Sequence, residues 1–280
     1  MCTFCVQHGD GKRWYLNAAN YAADLQSDLA RRGFMVGFVQ GFERSRRSIK
    51  VGLGALRLLP EPVRGVLAER ASLTQQREHF GQPVSIEDCE RILDLATQVT
   101  RLPCVCRGAM QPGSDAESCC LVVTVAPHQE VVREVFQGYR GGPAAEGFEA
   151  LDKAGALALL RRCEEAGLAH TARTVHTPFV AAICNCDLPS GCLARSTQLR
   201  GGVRVMWRGE DVARLDAERC TGCAACVPAC PFGALARIRK GEVRLDRQGC
   251  WGCGTCRAHC ARAALTLEPR AGAPDVAGRW

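Results

Sequence analysis

The sequence predicts an α+β protein: a Cys-rich α/β N-terminal and middle region, then a C-terminal domain of two pseudo-symmetric βαβ repeats. Three observations predict it. ARLDAERC, ending at Cys220, returns thirty residues later as VRLDRQGC, and ACPFGAL returns as HCARAAL. That is a repeated unit of strand, loop and short helix. Upstream, stretches with apolar residues at helical spacing alternate with β-like runs such as LVVTV and VHTPFVAAI. The chain is also long enough for two or three domains with their own cores. The composition places the boundaries at 1–82, 83–202 and 203–280.

From the N-terminus, Trp14, Tyr15, Ala18, Tyr21, Ala22, Leu25 and Leu29 predict a helix over 14–32, stopped by Gly33. FMVGFVQGF then reads as extended chain. A basic stretch with Arg44, Arg46, Arg47 and Lys50 leads into an apolar run at 44–59. It suits an amphipathic helix with a solvated face, or peripheral association with a membrane or partner. A polar helix is expected over 63–81. Ser85 with Asp88 forms a capping-box signature, followed by Ile86, Cys89, Ile92 and Leu93 on one face. Cys89, and Cys163 in the helix expected over 152–167, are read as buried thiols. VVREVFQGY predicts a further helix.

Within the repeat, each half carries C-x2-C-x2-C-x3-C: Cys220, Cys223, Cys226 and Cys230, then Cys250, Cys253, Cys256 and Cys260. Three closely spaced thiolates can hold three irons of a cubane, and the fourth iron needs a distant sulfur. In this spacing the fourth Cys crosses to the other cluster. Cys220, Cys223, Cys226 and Cys260 are therefore expected to hold one [4Fe–4S] cluster, and Cys250, Cys253, Cys256 and Cys230 a second. A zinc ribbon is the competing reading, and two matching runs of four disfavour it.

Residues 203–268 resemble the bacterial ferredoxins with two [4Fe–4S] clusters, which implies a bacterial-type dicluster ferredoxin fold. One departure is Ala261, where the first half has Pro231 and the family usually has proline. It removes a fixed φ and leaves the ligands alone, so it puts the local turn in question.

Seven further cysteines lie at loop edges: Cys104 and Cys106 in PCVCR, Cys119 and Cys120 in SCCLVV, and Cys184, Cys186 and Cys192 in ICNCDLPSGC. Neighbouring Pro, Gly and Asp favour turns, so a turn is expected to bring both sulfurs of each C-x-C to one site. Four or more of the seven are candidates for a further Fe–S cluster. Packed thiols or a zinc site are the alternatives. Cys104, Cys106, Arg107, Gly167, Leu168, His170, Ile183, Cys184, Asn185 and Cys186 resemble a Cys-rich module beside ferredoxin domains in anaerobic iron–sulfur proteins. The resemblance implies another Fe–S site. It is broken at Asp187, where that module often has Cys. Cys2 and Cys5, a CxxC at the start, are read as additional ligands capping a further cluster, which would make two more sites, or as packed or free thiols.

The nineteen cysteines and the polar start fit a cytoplasmic, reducing environment. No run of 18 or more apolar residues spans a bilayer. The formal charge of +7 falls to about +3 with two clusters of about −2 each, and to about +1 with three. The basicity therefore offers no case for nucleic acid. Gly52-Leu-Gly54 lacks a nucleotide fingerprint, and no catalytic residues stand out.

The expected role is an electron-transfer protein or subunit serving a redox protein or catalytic oxidoreductase. The alternative is a reductase or redox activator with an open Fe–S site, acting on a small substrate or on a radical or corrinoid enzyme. His170 and His176, and also His259, Arg257 and Trp251 in the second loop, are candidates to touch the clusters or to serve in packing.

Overall fold

A computed structural model describes residues 13–21, 33, 37, 51–52, 54–56, 58–102, 104, 120–124, 149–177, 179–186 and 202–279. The elements are α1 (Glu61–Glu78), β1 (Gly81–Pro83), α2 (Ile86–Leu95), β2 (Gln98–Leu102), β3 (Cys120–Thr124), β4 (Glu149–Leu151), α3 (Lys153–Glu165), β5 (Ala169–Thr174) and β6 (Val180–Cys186). The C-terminal domain adds β7 (Asp211–Leu215), β8 (Leu235–Arg239), β9 (Glu242–Leu245) and β10 (Leu265–Pro269).

β1 to β6 form an antiparallel sheet in the order β1-β5-β6-β3-β2-β4. Ser85 caps α2, its hydroxyl accepting from the Asp88 amide, and Asp152 caps α3 through the Gly155 amide. The apolar faces of both helices join Leu121, Val123 and Ile183 of the sheet in one core. Cys89 and Cys163 are buried there, as their helical spacing predicts.

The N-terminal segment departs from expectation. Trp14–Leu16 and Ala18–Tyr21 are separate 3-10 turns, broken at Asn17, whose backbone is extended. The aromatic spacing serves tertiary packing: Tyr15 donates to buried Asp88, and Trp14 meets Phe80 and Gln82. Gly33 and Gly37 are helical, which contradicts a stop at the first and an extended run through the second. The described part of 44–59 is helical, with Val51 and Leu58 exposed, and its basic residues lie outside the described set. Cys2, Cys5, Cys106, Cys119, Cys192, Arg107, Asp187 and the helix expected at 131–139 also lie outside it. Among the described residues, no helix is long and apolar enough to cross a membrane.

In the C-terminal domain β7 pairs with β10 and β8 with β9, both antiparallel. The two halves interlock. The Asp216 amide donates to Ala264 O and, thirty residues on, the Asp246 amide donates to Ala234 O, both at 2.8 Å. The short helices of the expected βαβ repeats are smaller than that: a 3-10 turn at Thr255–Arg257 in the second half and hydrogen-bonded turns in the first. Both halves close the same turn after their fourth cysteine, Gly233 N to Cys230 O and Ala263 N to Cys260 O, so Ala261 keeps the geometry that Pro231 has.

Candidate iron–sulfur centres

The cysteine runs sit on loops held open by left-handed residues spaced by the repeat: Gly222 and Gly252, Ala224 and Gly254, Gly233 and Ala263. A Cβ on Gly222 would stand 2.0 Å from Gly241, and one on Gly252 would stand 2.0 Å from the Asp211 carbonyl. Only glycine lets the backbone pass here.

The thiols divide into two neighbourhoods. Burial raises the Cys226 thiol, and the charges of Cys260, Cys223 and Cys220 raise it further. Burial likewise pushes Cys256 well up, joined by Cys253, Cys250 and Cys230 and, more weakly, Cys226. Burial carries Cys253 to about 12 against opposing bonds from Thr255. Leu235, Val243 and Leu265 lie in one apolar cluster with Cys226 and Cys256, between the two groups, and Val212, Ala273 and Val276 lie with Cys250 of the second. Backbone amides point at sulfur: Ala213 to Cys250 at 3.4 Å, Ala234 to Cys230 at 3.3 Å and Ala264 to Cys260 at 3.2 Å. Ala234 and Ala264 again differ by one repeat.

Four thiols in each group, one of them drawn from the other half, are the donor set that a [4Fe–4S] cubane takes. Burial holds the Cys226, Cys253 and Cys256 thiols protonated until a strong cationic centre offsets the cost of their thiolates.

The two groups differ in exposure. Cys223 is the one exposed cysteine of the eight, while Cys250, Cys253 and Cys256 are buried. Bonds from the Ala225 amide and the Thr221 side chain and the nearby Arg237 lower the Cys223 thiol. The buried group faces the sheet. Thr255 Oγ1 donates to Leu168 O at 3.4 Å, and Gly167 lies against Ala229, next to Cys230. Gly167 and Leu168 close α3 by donating to Glu164 O and Cys163 O, with Gly167 left-handed. This is the physical role of the GLAH segment: it turns the chain beside the second run and into β5.

On the sheet, one register step beyond Leu121↔Ile183 sets Cys120 across from Cys184. The Cys120 thiol exchanges hydrogen bonds with Cys104 and Cys184, which with burial hold it well above the ordinary thiol range. No turn is needed for the C-x-C of β6. The strand runs through Cys184 and Cys186, and period-two alternation keeps both on one face. Cys186 pairs with Ala169, adjacent to Leu168.

Of the remaining candidates, Arg257 and His259 join the two parts of the molecule. Arg257 makes a bidentate pair with Glu87, His259 Nε2 meets Glu164 O at 3.0 Å, and Trp251 stacks on Phe232. His170 is fully buried, with Nδ1 on Asn185, and His176 bonds through its backbone to Glu78. Two residues carried no sequence signal. Buried Arg270 donates to the carbonyls of Gly209, Asp211 and Cys250, and the residues after β10 thereby cover the second run. Arg13 spans Asp88 and Asp211.

Residues 219–265 match the 4Fe-4S dicluster domain family, about one sixth of the chain. A search of curated proteins finds no match. The C-terminal region is thus a dicluster domain, which supports an iron–sulfur electron-transfer role.

Proposed function

We propose that the chain is an electron-transfer protein, or the electron-transfer subunit of an oxidoreductase, carrying single low-potential electrons to or from a partner enzyme. The ligand sets are Cys220, Cys223, Cys226 and Cys260 for one cluster, and Cys250, Cys253, Cys256 and Cys230 for the other. The observation that carries this reading is the grouping of thiols around Cys226 and Cys256, each drawing its fourth member from the other half. A bound [4Fe–4S] cluster supplies one-electron exchange without atom transfer. The chain contributes thiolates, amides aimed at sulfur, which favour the reduced, more negative state, and apolar side chains that exclude water.

A further site on the sheet belongs to the proposal, built on Cys104, Cys120 and Cys184, with Cys186 beside them and Cys106, Cys119 and Cys192 as remaining candidates. Its support is the hydrogen-bonded row of three thiols. The order is then an outer centre at Cys223, an inner centre against Leu168, and the sheet site. Anaerobic reconstitution with iron and sulfide counting tests it. About twelve irons per chain are expected, falling to about eight in Cys120→Ser with the dicluster EPR signal retained. About eight irons in the parent would remove the sheet site, and about two zincs with no EPR signal would remove the cluster reading.

A further inference from the structure

A hairpin tip is built against Cys223, the one exposed cysteine of the two runs. Because Gly222 leaves no space for a side chain beside Gly241, the β8–β9 turn lies directly on the Cys223 loop. Arg237 Nη2 fixes it there by donating to Cys223 O at 3.0 Å. The tip presents Ile238, 48% exposed, between Arg237, Arg239 and Lys240, all exposed. Glu242 is the acidic residue at this turn, and Arg239 pairs with it. The result is an apolar centre within a cationic rim.

We propose that this tip docks the acidic face of a one-electron carrier protein, which exchanges its electron at the Cys223 side of the domain. The proposal rests on the reading that the first run holds a cluster. One electron leaves the reduced carrier and enters the oxidised chain, and no bond is made or broken. The rim steers an acidic partner toward the exposed sulfur and sets its orientation, while Ile238 supplies the desolvated centre of a small contact. Weak electron-transfer complexes bury little surface, so a tip of this size suffices.

The test uses a reduced flavodoxin of net negative charge as probe, mixed anaerobically with the reconstituted full chain in stopped flow. Binding to the oxidised chain is measured by calorimetry. Lys240→Glu and Ile238→Ser are the variants, and Arg237 stays intact because it holds the loop. The expected rate falls as salt rises, and Lys240→Glu slows it by about tenfold, with binding weakened in parallel. Iron content and the EPR spectrum stay those of the parent. A rate that rises with salt, or variants that bind and react as the parent does, overturns the docking proposal. So does DNA binding that competes with flavodoxin and is lost in the same variants. Absence of a cluster at the first run in the parent overturns instead the reading beneath it.

Discussion

Glu164 and His170 form the most unusual pair of side chains at the junction between sheet and cluster loops. Burial raises Glu164 from 4.5 to about 7, against the opposing charge of Arg257. Burial lowers His170 from 6.5 to about 4, against its bond to Asn185. Their linkage signs are opposite. Between 4.5 and 7 the unfolded chain ionises Glu164 while the folded chain keeps its proton, so this group's contribution falls as pH rises. Between 6.5 and 4 the unfolded chain protonates His170 while the folded chain does not, so its contribution falls as pH drops. Each amounts to about 3 kcal/mol at most, and over the shared window they offset one another. Glu164→Gln is therefore predicted to uncover the His170 slope: anaerobic melts should gain stability as pH rises from about 4 to 6.5, where the parent is nearly flat. A parent-like pH profile in Glu164→Gln would show that the carboxyl is not held neutral. At Asp88, which is 1% exposed and receives Arg13, Tyr15 and Arg91, Asp88→Ala leaves the buried Tyr15 hydroxyl without its acceptor and takes from Arg13 one of its two carboxylates. It should cost about 3 kcal/mol in denaturant unfolding.

Among the elements, the cluster loops show the repeat at work in the backbone. Left-handed positions recur at thirty-residue spacing, yet the sequence writes Ala224 in the first half against Gly254 in the second, and Gly233 in the first against Ala263 in the second. An L-residue in that region carries strain that glycine does not. Ala263→Gly, at φ 46, is therefore predicted to raise stability by about 0.5–1 kcal/mol with unchanged iron content; a lower melting temperature would count against the strain. Gly222→Ala and Gly252→Ala should do the reverse, displacing Gly241 or Asp211 and reducing iron retention in the same reconstitution. Removing the cap of α2 by Ser85→Ala should cost about 1 kcal/mol.

At the scale of the molecule, legibility followed local chemistry. The cysteine runs, the cap at Ser85 and the buried thiols Cys89 and Cys163 could be read because spacing alone determines them. The break at Asn17 between the two 3-10 turns could not, since Asp88 and Phe80, distant in sequence, decide where the Tyr15 and Trp14 rings go. Nor could Arg270 or Arg13, whose partners are backbone carbonyls and carboxylates brought close only by the fold. The GLAH segment was visible as a pattern, and its reason became clear once Gly167 and Leu168 were seen against Ala229 and Thr255. Together these contacts hold the sheet against the dicluster domain, and the proposed path runs from Cys223 inward. An EPR-monitored redox titration of the reconstituted full chain tests that path most directly. About three reversible one-electron steps are expected without added substrate, two of them with mutually broadened signals and one lost in Cys120→Ser. A chain that takes up no electrons at low potential, or that turns over a substrate with no partner present, would contradict it.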